Sequence, residues 1–157
     1  RIREAFGYCF SSPKGSDYPP ILNAHEIVAG QHLSIDGPGG TLDISAFEQE
    51  HGNINSLGFR IAGLAYSCDL SGFPDASHAA LTDLWIVDAL RPTPHPSHLS
   101  LPETLDWIER FAPRQAVLTD MHIDLDYARL DAETPAHITP AFDGMRIDVV
   151  TGTILNR

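Results

Sequence analysis

The chain has 157 residues, of which 43% are hydrophobic and 20% are charged, and this composition excludes a disordered segment and indicates a folded globular domain. The formal net charge of −11 argues against a general nucleic-acid binder and against a protein that lies on anionic membranes. A phosphate substrate is still compatible with this charge, because bound metal cations can reverse the local field. The two cysteines, Cys9 and Cys68, have no C-x-x-C spacing, and no apolar run is long enough to span a membrane, so we expect a cytoplasmic protein.

The first half of the chain is predicted to consist of strands. Residues 5–10 have the alternating, aromatic character of a strand. Residues 33–35 and 42–47 flank the sequence Asp-Gly-Pro-Gly-Gly, which indicates a hairpin. Residues 57–61 and 63–66 are predicted to form a further pair of strands, joined by a tight turn. An antiparallel group of strands therefore opens the domain.

The second half is predicted to alternate strands and helices. The run at 84–90 is almost continuously apolar, as in a fully buried strand. The strongest helix signal covers 100–111, where Ser100 and Glu103 form a capping box and an apolar stripe follows at helical spacing. Three more elements are predicted: a strand ending at Thr119, a helical turn at 125–130 and a strand at 145–150. The fold class predicted from this order is a layered α/β domain with a mixed sheet flanked by helices.

Residues 118–127 concentrate potential metal ligands at the end of a predicted strand. Four side chains of this kind occur there: Asp120, His122, Asp124 and Asp126. Enzymes of the α/β class build their sites at such strand ends. His51 and Asp69 also follow predicted strands, so three successive strand patterns end in a histidine or an aspartate. This order of ligands is the one that a dinuclear hydrolase site would use.

Several of these residues also have a purely structural interpretation. Asp69 could bridge two metal ions, or it could cap the turn that it begins. The loop at 90–98 contains three prolines and presents His95 and His98 just before a predicted helix, where its stiffness would suit a catalytic group. Alternatively, either histidine packs against the start of the helix or caps it. The remaining histidines are predicted to lie on the surface: His25, His32, His78 and His137.

Seven short motifs, taken together and in this order, resemble those of the metallo-β-lactamase-fold hydrolases. They are His51-Gly, Ser56-Leu-Gly-Phe-Arg60, Tyr66-Ser-Cys-Asp69, Asp88-Ala-Leu-Arg91, His95-Pro-Ser-His98, Leu118-Thr-Asp-Met-His122 and Pro140-Ala-Phe-Asp-Gly-Met145. Within that superfamily the chain is most similar to the phosphodiesterase branch, which is related to tRNase Z and to the cyclic phosphodiesterase of phosphonate breakdown. The resemblance extends over almost the whole chain.

The resemblance implies an αββα sandwich with two divalent transition-metal ions, zinc or manganese, at the edge of the sheets. It makes His51 a ligand of one metal and Asp69 the carboxylate that bridges both. It also matches His98 to the catalytic histidine of the family, which lies near the scissile phosphate. In that position His98 would protonate the leaving oxygen or hold the phosphate.

The chain departs from the family pattern in two places. The family motif His-x-His-x-Asp-His is absent, so we expect residues 1–157 to be a single domain that forms the C-terminal portion of a longer protein. The second departure is Asp120, which stands where the related proteins carry a histidine ligand. If the chain stays extended, His122 points to the same side two residues later. We therefore expect His122 to be the replacement ligand, with Asp120 as the alternative.

These observations predict a metal-dependent phosphodiesterase that acts on a small phosphodiester substrate. One alternative is a hydrolase of another ester, because this fold hosts several hydrolytic reactions. The other is a catalytically silent module, which the missing motif and the altered Asp120 would favour. An isolated half-domain would expose a sheet edge and part of its core, and formation of a homodimer is one way to cover them.

Overall fold

A computed structural model describes residues 1–74 and 83–156 of the chain. Its main feature is a seven-stranded sheet in which the strands lie side by side in the order of the sequence. The strands are β1 (His32–Gly37), β2 (Gly40–His51), β3 (Ile54–Ile61), β4 (Leu64–Ser67), β5 (Leu84–Asp88), β6 (Gln115–Thr119) and β7 (Ile138–Pro140). The pairings from β1 to β4 are antiparallel, and those from β4 to β7 are parallel. Strands β2, β4, β5 and β6 therefore all end at the same edge.

The antiparallel half is built from the predicted hairpins. Phe47 of β2 lies opposite Gly58 of β3, and a Cβ at Gly58 would come within 2.2 Å of the Phe47 ring. Only glycine can therefore occupy this position while Phe47 is buried. Strand β2 continues beyond the predicted boundary at residue 47 and ends at His51. The longer strand carries His51 to the edge where the parallel strands also end.

The parallel half forms the core, because its strands are buried on both faces. Leu84, Trp85 and Val87 of β5 are at most 1% exposed, which explains the nearly continuous apolar run of this strand. Burial of each such side chain stabilises the fold by roughly 1.5–3 kcal/mol. The indole nitrogen of Trp85 donates a hydrogen bond to the Ser67 hydroxyl at 3.0 Å, so its one polar atom is satisfied.

Within residues 1–74 and 83–156, four helices flank or precede the sheet: α1 (Ile2–Ala5), α2 (Gly7–Phe10), α3 (Leu101–Phe111) and α4 (Tyr127–Glu133). Helix α3 confirms the predicted helix, with the backbone N–H of Ser100 donating to the Glu103 carboxylate at 2.8 Å. Its residue Ile108 is 1% exposed and belongs to the core cluster that also contains Trp85. The predicted α/β class with a mixed sheet flanked by helices is confirmed. No helix within the described ranges has the length and apolar character needed to cross a bilayer.

Three predictions about secondary structure were wrong or incomplete. Residues 5–10 belong to two helical turns, not a strand, because hydrogen bonds such as Ala5 N–H to the Arg1 carbonyl satisfy the backbone locally. The strand predicted at 145–150 is reduced to β8 (Ile147–Asp148), which pairs with β9 (Thr153–Ile154) outside the main sheet. There the Asp148 side chain accepts hydrogen bonds from the next backbone N–H groups and turns the chain. The short strand β7 was not predicted.

Candidate active site and metal centre

The C-terminal ends of four strands bring together three of the side chains predicted from the sequence and a fourth, Asp88, that was not predicted. His51 ends β2, Asp69 follows β4, Asp88 ends β5 and Asp120 follows β6. The turn after β4 folds back onto β2, where Ser71 N–H donates to the Glu50 carbonyl at 2.7 Å. This contact holds Asp69 beside His51 although 18 positions separate them in the sequence. The parallel order of β4, β5 and β6 then places Asp88 and Asp120 at successive positions along the same edge of the sheet.

His51, Asp69 and His98 form the first group of donor atoms. One donor atom from each residue lies within 4.8 Å of the other two. The rings of His51 and His98 meet edge to face, with centroids 4.8 Å apart. The Nδ1 of His51 lies 2.7 Å from the carbonyl oxygen of Ser97. A carbonyl can only accept, so Nδ1 carries the proton and Nε2 keeps its lone pair, which is the form in which histidine binds a metal.

Two of the acids sit on strained backbone. Asp69 has φ of 53° and Asp120 has φ of 56°, both in the left-handed region that side chains with a Cβ rarely adopt. Aspartate tolerates this region better than most residues, yet each position costs energy that the surrounding structure must supply. In Asp69 the carbonyl is held by the Ser56 hydroxyl at 2.7 Å. The fold thus fixes the backbone from which the two carboxylates extend at the ends of their strands.

His98 is paired with a fully buried carboxylate. Its Nδ1 lies 2.6 Å from Oδ2 of Asp88, whose relative exposure is 0%. Burial raises the pKa of Asp88 from 3.8 to about 6, and the hydrogen bond from His98 opposes part of that rise. Its Oδ1 has no hydrogen-bond partner among the described residues. A buried carboxylate of this kind is retained at a cost in stability, which makes it a candidate functional group.

Asp88 was not predicted from the sequence to have a role, although it belongs to one of the seven motifs. The available signal was a charged residue at the end of an otherwise apolar strand, Leu-Trp-Ile-Val-Asp. Such a residue is buried by its strand and is aimed at the strand-end site. Its main-chain carbonyl also accepts a hydrogen bond from the Thr104 hydroxyl at 2.7 Å, which ties the end of β5 to helix α3.

Asp120 and His122 occupy different environments. Asp120 joins Asp88 and His98 in a second group of donor atoms within 4.8 Å, and its Oδ2 lies 3.6 Å from Nδ1 of His98. His122 belongs to neither of the two groups found in the described ranges, and its side chain is 54% exposed beside Asp124. The left-handed turn at Asp120 interrupts the extended backbone that would have placed His122 on the same side as Asp120. The His122 N–H is instead hydrogen-bonded to the Leu90 carbonyl at 2.8 Å.

The other predicted residues are distributed as follows. The ring of His95 lies against His98, with centroids 5.3 Å apart. Asp126 caps helix α4 by accepting a hydrogen bond from the Arg129 N–H at 2.8 Å. His25, His32 and His137 are exposed, as predicted, and His78 lies outside the described residues.

The donor set fits a divalent transition metal. Imidazole nitrogens and carboxylate oxygens are the usual ligands of zinc and manganese sites, and His51 already has the hydrogen bond that orients a metal-binding imidazole. Asp88, whose Oδ1 lacks a hydrogen-bond partner within the described ranges, adds negative charge next to the same side chains. His51 and Asp69 are the residues that could hold a metal, with Asp120 as a further carboxylate at the same edge.

A mixed α/β sheet that collects histidine and aspartate at its parallel strand ends is typical of metal-dependent hydrolases. The chain belongs to the beta-lactamase superfamily, because residues 1–123 match the family described as beta-lactamase superfamily domain. This match, together with the structures below, confirms the resemblance to metallo-β-lactamase-fold proteins and their phosphodiesterase branch. No curated protein sequence matches the chain.

Several solved structures share the fold. A new diphosphatase from the PhnP family has a TM-score of 0.75 and 25% identity, over 92% of this chain and 52% of that one. The metallo-β-lactamase fold protein YhfI from Bacillus subtilis has a TM-score of 0.63 and 15% identity, over 79% and 55% of the two chains. Human tRNase Z, short form, has a TM-score of 0.53 and 20% identity, over 69% and 43%. The chain thus spans about half the length of these proteins.

Proposed function

We propose that the protein is a metal-dependent phosphodiesterase in which His51 and Asp69 hold divalent metal ions and His98 donates the proton. The observation that carries the proposal is that one donor atom from each of these three residues lies within 4.8 Å of the other two, with His98 hydrogen-bonded to the buried Asp88. Bound zinc or manganese ions supply activation of water near neutral pH and polarisation of a phosphoryl oxygen. The remaining steps belong to the residues of this chain.

His98 is arranged to act as a general acid. With Nδ1 donating to Asp88, its Nε2 is directed to the same side as Asp69, at 3.9 Å from Oδ1 of that residue. A negative charge on Asp88 stabilises the imidazolium form, in which Nε2 carries a proton that can pass to a leaving alkoxide. The 15% exposure of His98 limits exchange of this proton with bulk water but leaves room for a substrate.

The charge of the site would favour an anionic substrate only once divalent metal ions are bound. Asp69, Asp88 and Asp120 surround His98, so a phosphate could enter only after cations have neutralised them. The similar structure named as a diphosphatase supports phosphorus chemistry and adds the diphosphate bond as a second candidate. Both reactions need the same elements: a metal-activated nucleophile, a polarised phosphoryl oxygen and an acid for the leaving group.

Hydrolysis of bis-p-nitrophenyl phosphate by the intact, metal-loaded protein tests the proposal. We expect zinc or manganese to be required and Asp69→Asn to lose most of the activity together with bound metal. Asp126→Asn is the matched control, because it makes the same change at a helix cap where asparagine is equally suited. A diphosphate ester, a thioester and a lactam are assayed in parallel. Metal-independent hydrolysis, or hydrolysis of the thioester or lactam alone, would contradict the phosphodiesterase assignment.

A further inference from the structure

The loop between β5 and α3 is held rigidly over the site. Arg91 braces it from within, because its guanidinium donates to the carbonyls of Thr93 at 3.1 Å and Pro94 at 2.7 Å. The carbonyl of Ser97 accepts a hydrogen bond from His51 at the end of β2. Gly52 packs directly against the same part of the loop, where a Cβ would lie 3.0 Å from Cβ of Ser97. A side chain on this loop is therefore presented at low entropic cost.

His95 is the side chain of this loop whose position and tautomer are suited to binding a substrate. Its ring lies 5.3 Å from that of His98, at an angle of 56°. Its Nδ1 accepts a hydrogen bond from the Ser97 N–H at 3.4 Å and also lies 3.4 Å from the Ser97 hydroxyl. Since a backbone N–H can only donate, the proton of the neutral ring sits on Nε2. Within the described ranges no residue accepts a hydrogen bond from that Nε2–H.

We propose that His95 binds a non-bridging phosphoryl oxygen of the substrate through Nε2–H and so positions the phosphorus centre against His98. The inference depends on the proposed function for its substrate class. It assigns the two neighbouring histidines different tasks: His98 transfers a proton, whereas His95 donates a hydrogen bond and keeps its proton.

The electrostatic surroundings suit this division of tasks. Burial, followed by the charges of Arg91, His98 and His51, lowers the pKa of His95 below its ordinary value. A neutral imidazole is thus favoured, and it offers one directed donor without competing with His98 for the acidic partner Asp88. Arg91 is less available for the same purpose, because two of its donors already bind loop carbonyls.

Steady-state kinetics on the intact, metal-loaded protein provide the first test. We expect His95→Ala to raise KM for bis-p-nitrophenyl phosphate by about tenfold or more, the usual cost of a lost hydrogen bond to a charged group, with a smaller change in kcat. His95→Gln should recover part of the loss, because its amide nitrogen can replace Nε2 as a donor. Thr93→Ala is the matched control on the same loop, since only the main-chain carbonyl of Thr93 binds Arg91.

Binding of inorganic phosphate, followed through the His95 ring nitrogens by NMR, separates the two hypotheses. If the protein hydrolyses the phosphodiester but His95→Ala leaves KM and phosphate affinity unchanged, the role of His95 is refuted and the function stands. If hydrolysis is absent but phosphate shifts the His95 Nε2 resonance and binds more weakly to His95→Ala, the function fails and the phosphate contact stands. If the protein neither hydrolyses the phosphodiester nor binds phosphate, both proposals are refuted.

Discussion

The Nδ1 of His98 lies 2.6 Å from Oδ2 of Asp88, a carboxylate without exposed surface at the end of a core strand. This hydrogen bond connects Asp88, which the core holds rigidly, to His98, which can reach a substrate. Because the backbone N–H of Leu70 also points at the same oxygen, at 3.4 Å, Asp88 has little freedom to rotate. The direction of His98 is therefore determined by the packing of β5 as much as by its own loop.

Replacement of Asp88 by asparagine should reduce catalysis without removing the side-chain volume. The amide cannot stabilise an imidazolium, and its NH₂ group can force His98 into the other tautomer, so we expect kcat to fall by about 100-fold or more. The measurement is kcat against pH for wild type and Asp88→Asn. The acidic limb of the wild-type profile should be changed in the variant. A variant with wild-type kcat would show that Asp88 has only a structural role.

The buried charge of Asp88 should also make stability depend on pH. Its pKa is raised from 3.8 to about 6 in the folded protein, so the folded state binds the proton more tightly than the unfolded state. The resulting stabilisation is complete below pH 4 and is lost as the pH rises through 6, by an amount on the order of 3 kcal/mol.

Urea unfolding of the metal-free protein between pH 4 and 7 measures this effect. The Asp88→Asn variant lacks the titrating group. As the pH rises, the wild type should therefore lose more of its free energy of unfolding than the variant does. Parallel pH profiles for the two proteins would show that Asp88 has the same pKa in both states.

Asp120 and His122 should differ in their effect on metal binding. The sequence favours His122, whereas the geometry favours Asp120, which lies 3.6 Å from His98 while His122 is largely exposed. We expect Asp120→Ala to weaken metal affinity by at least about tenfold and His122→Ala to leave it within about twofold, as for a residue outside the site. Metal content after dialysis, measured on each variant, decides between them. Loss of metal from His122→Ala alone would restore the interpretation based on the sequence.

Strands β1 to β6 and helix α3 could be predicted because their signals are local. The apolar run of β5 and the capping box at Ser100 each lie within one element. The partnership of Asp88 and His98 could not be predicted in this way, since it depends on a proline-rich loop that returns over the end of its own strand. Asp120 shows the same limit: the alternation of an extended chain places His122 at the site, but one left-handed residue redirects the path. Residues 5–10 have a strand pattern, but no strand of the part of the chain that the structure describes pairs with them.

Gly52 should be required for the loop that carries His95 and His98. It has φ of 62°, and an added Cβ would lie 3.0 Å from Cβ of Ser97 and 3.2 Å from the Pro96 carbonyl oxygen. In a Gly52→Ala variant, the backbone strain and the displaced loop should together lower the free energy of unfolding by about 1–3 kcal/mol. Gly144→Ala is the matched control, because Gly144 also has a positive φ, of 87°, and a Cβ there meets nothing within 4 Å. Urea unfolding of the two variants measures the difference, and equal stabilities would mean that the loop does not depend on this contact.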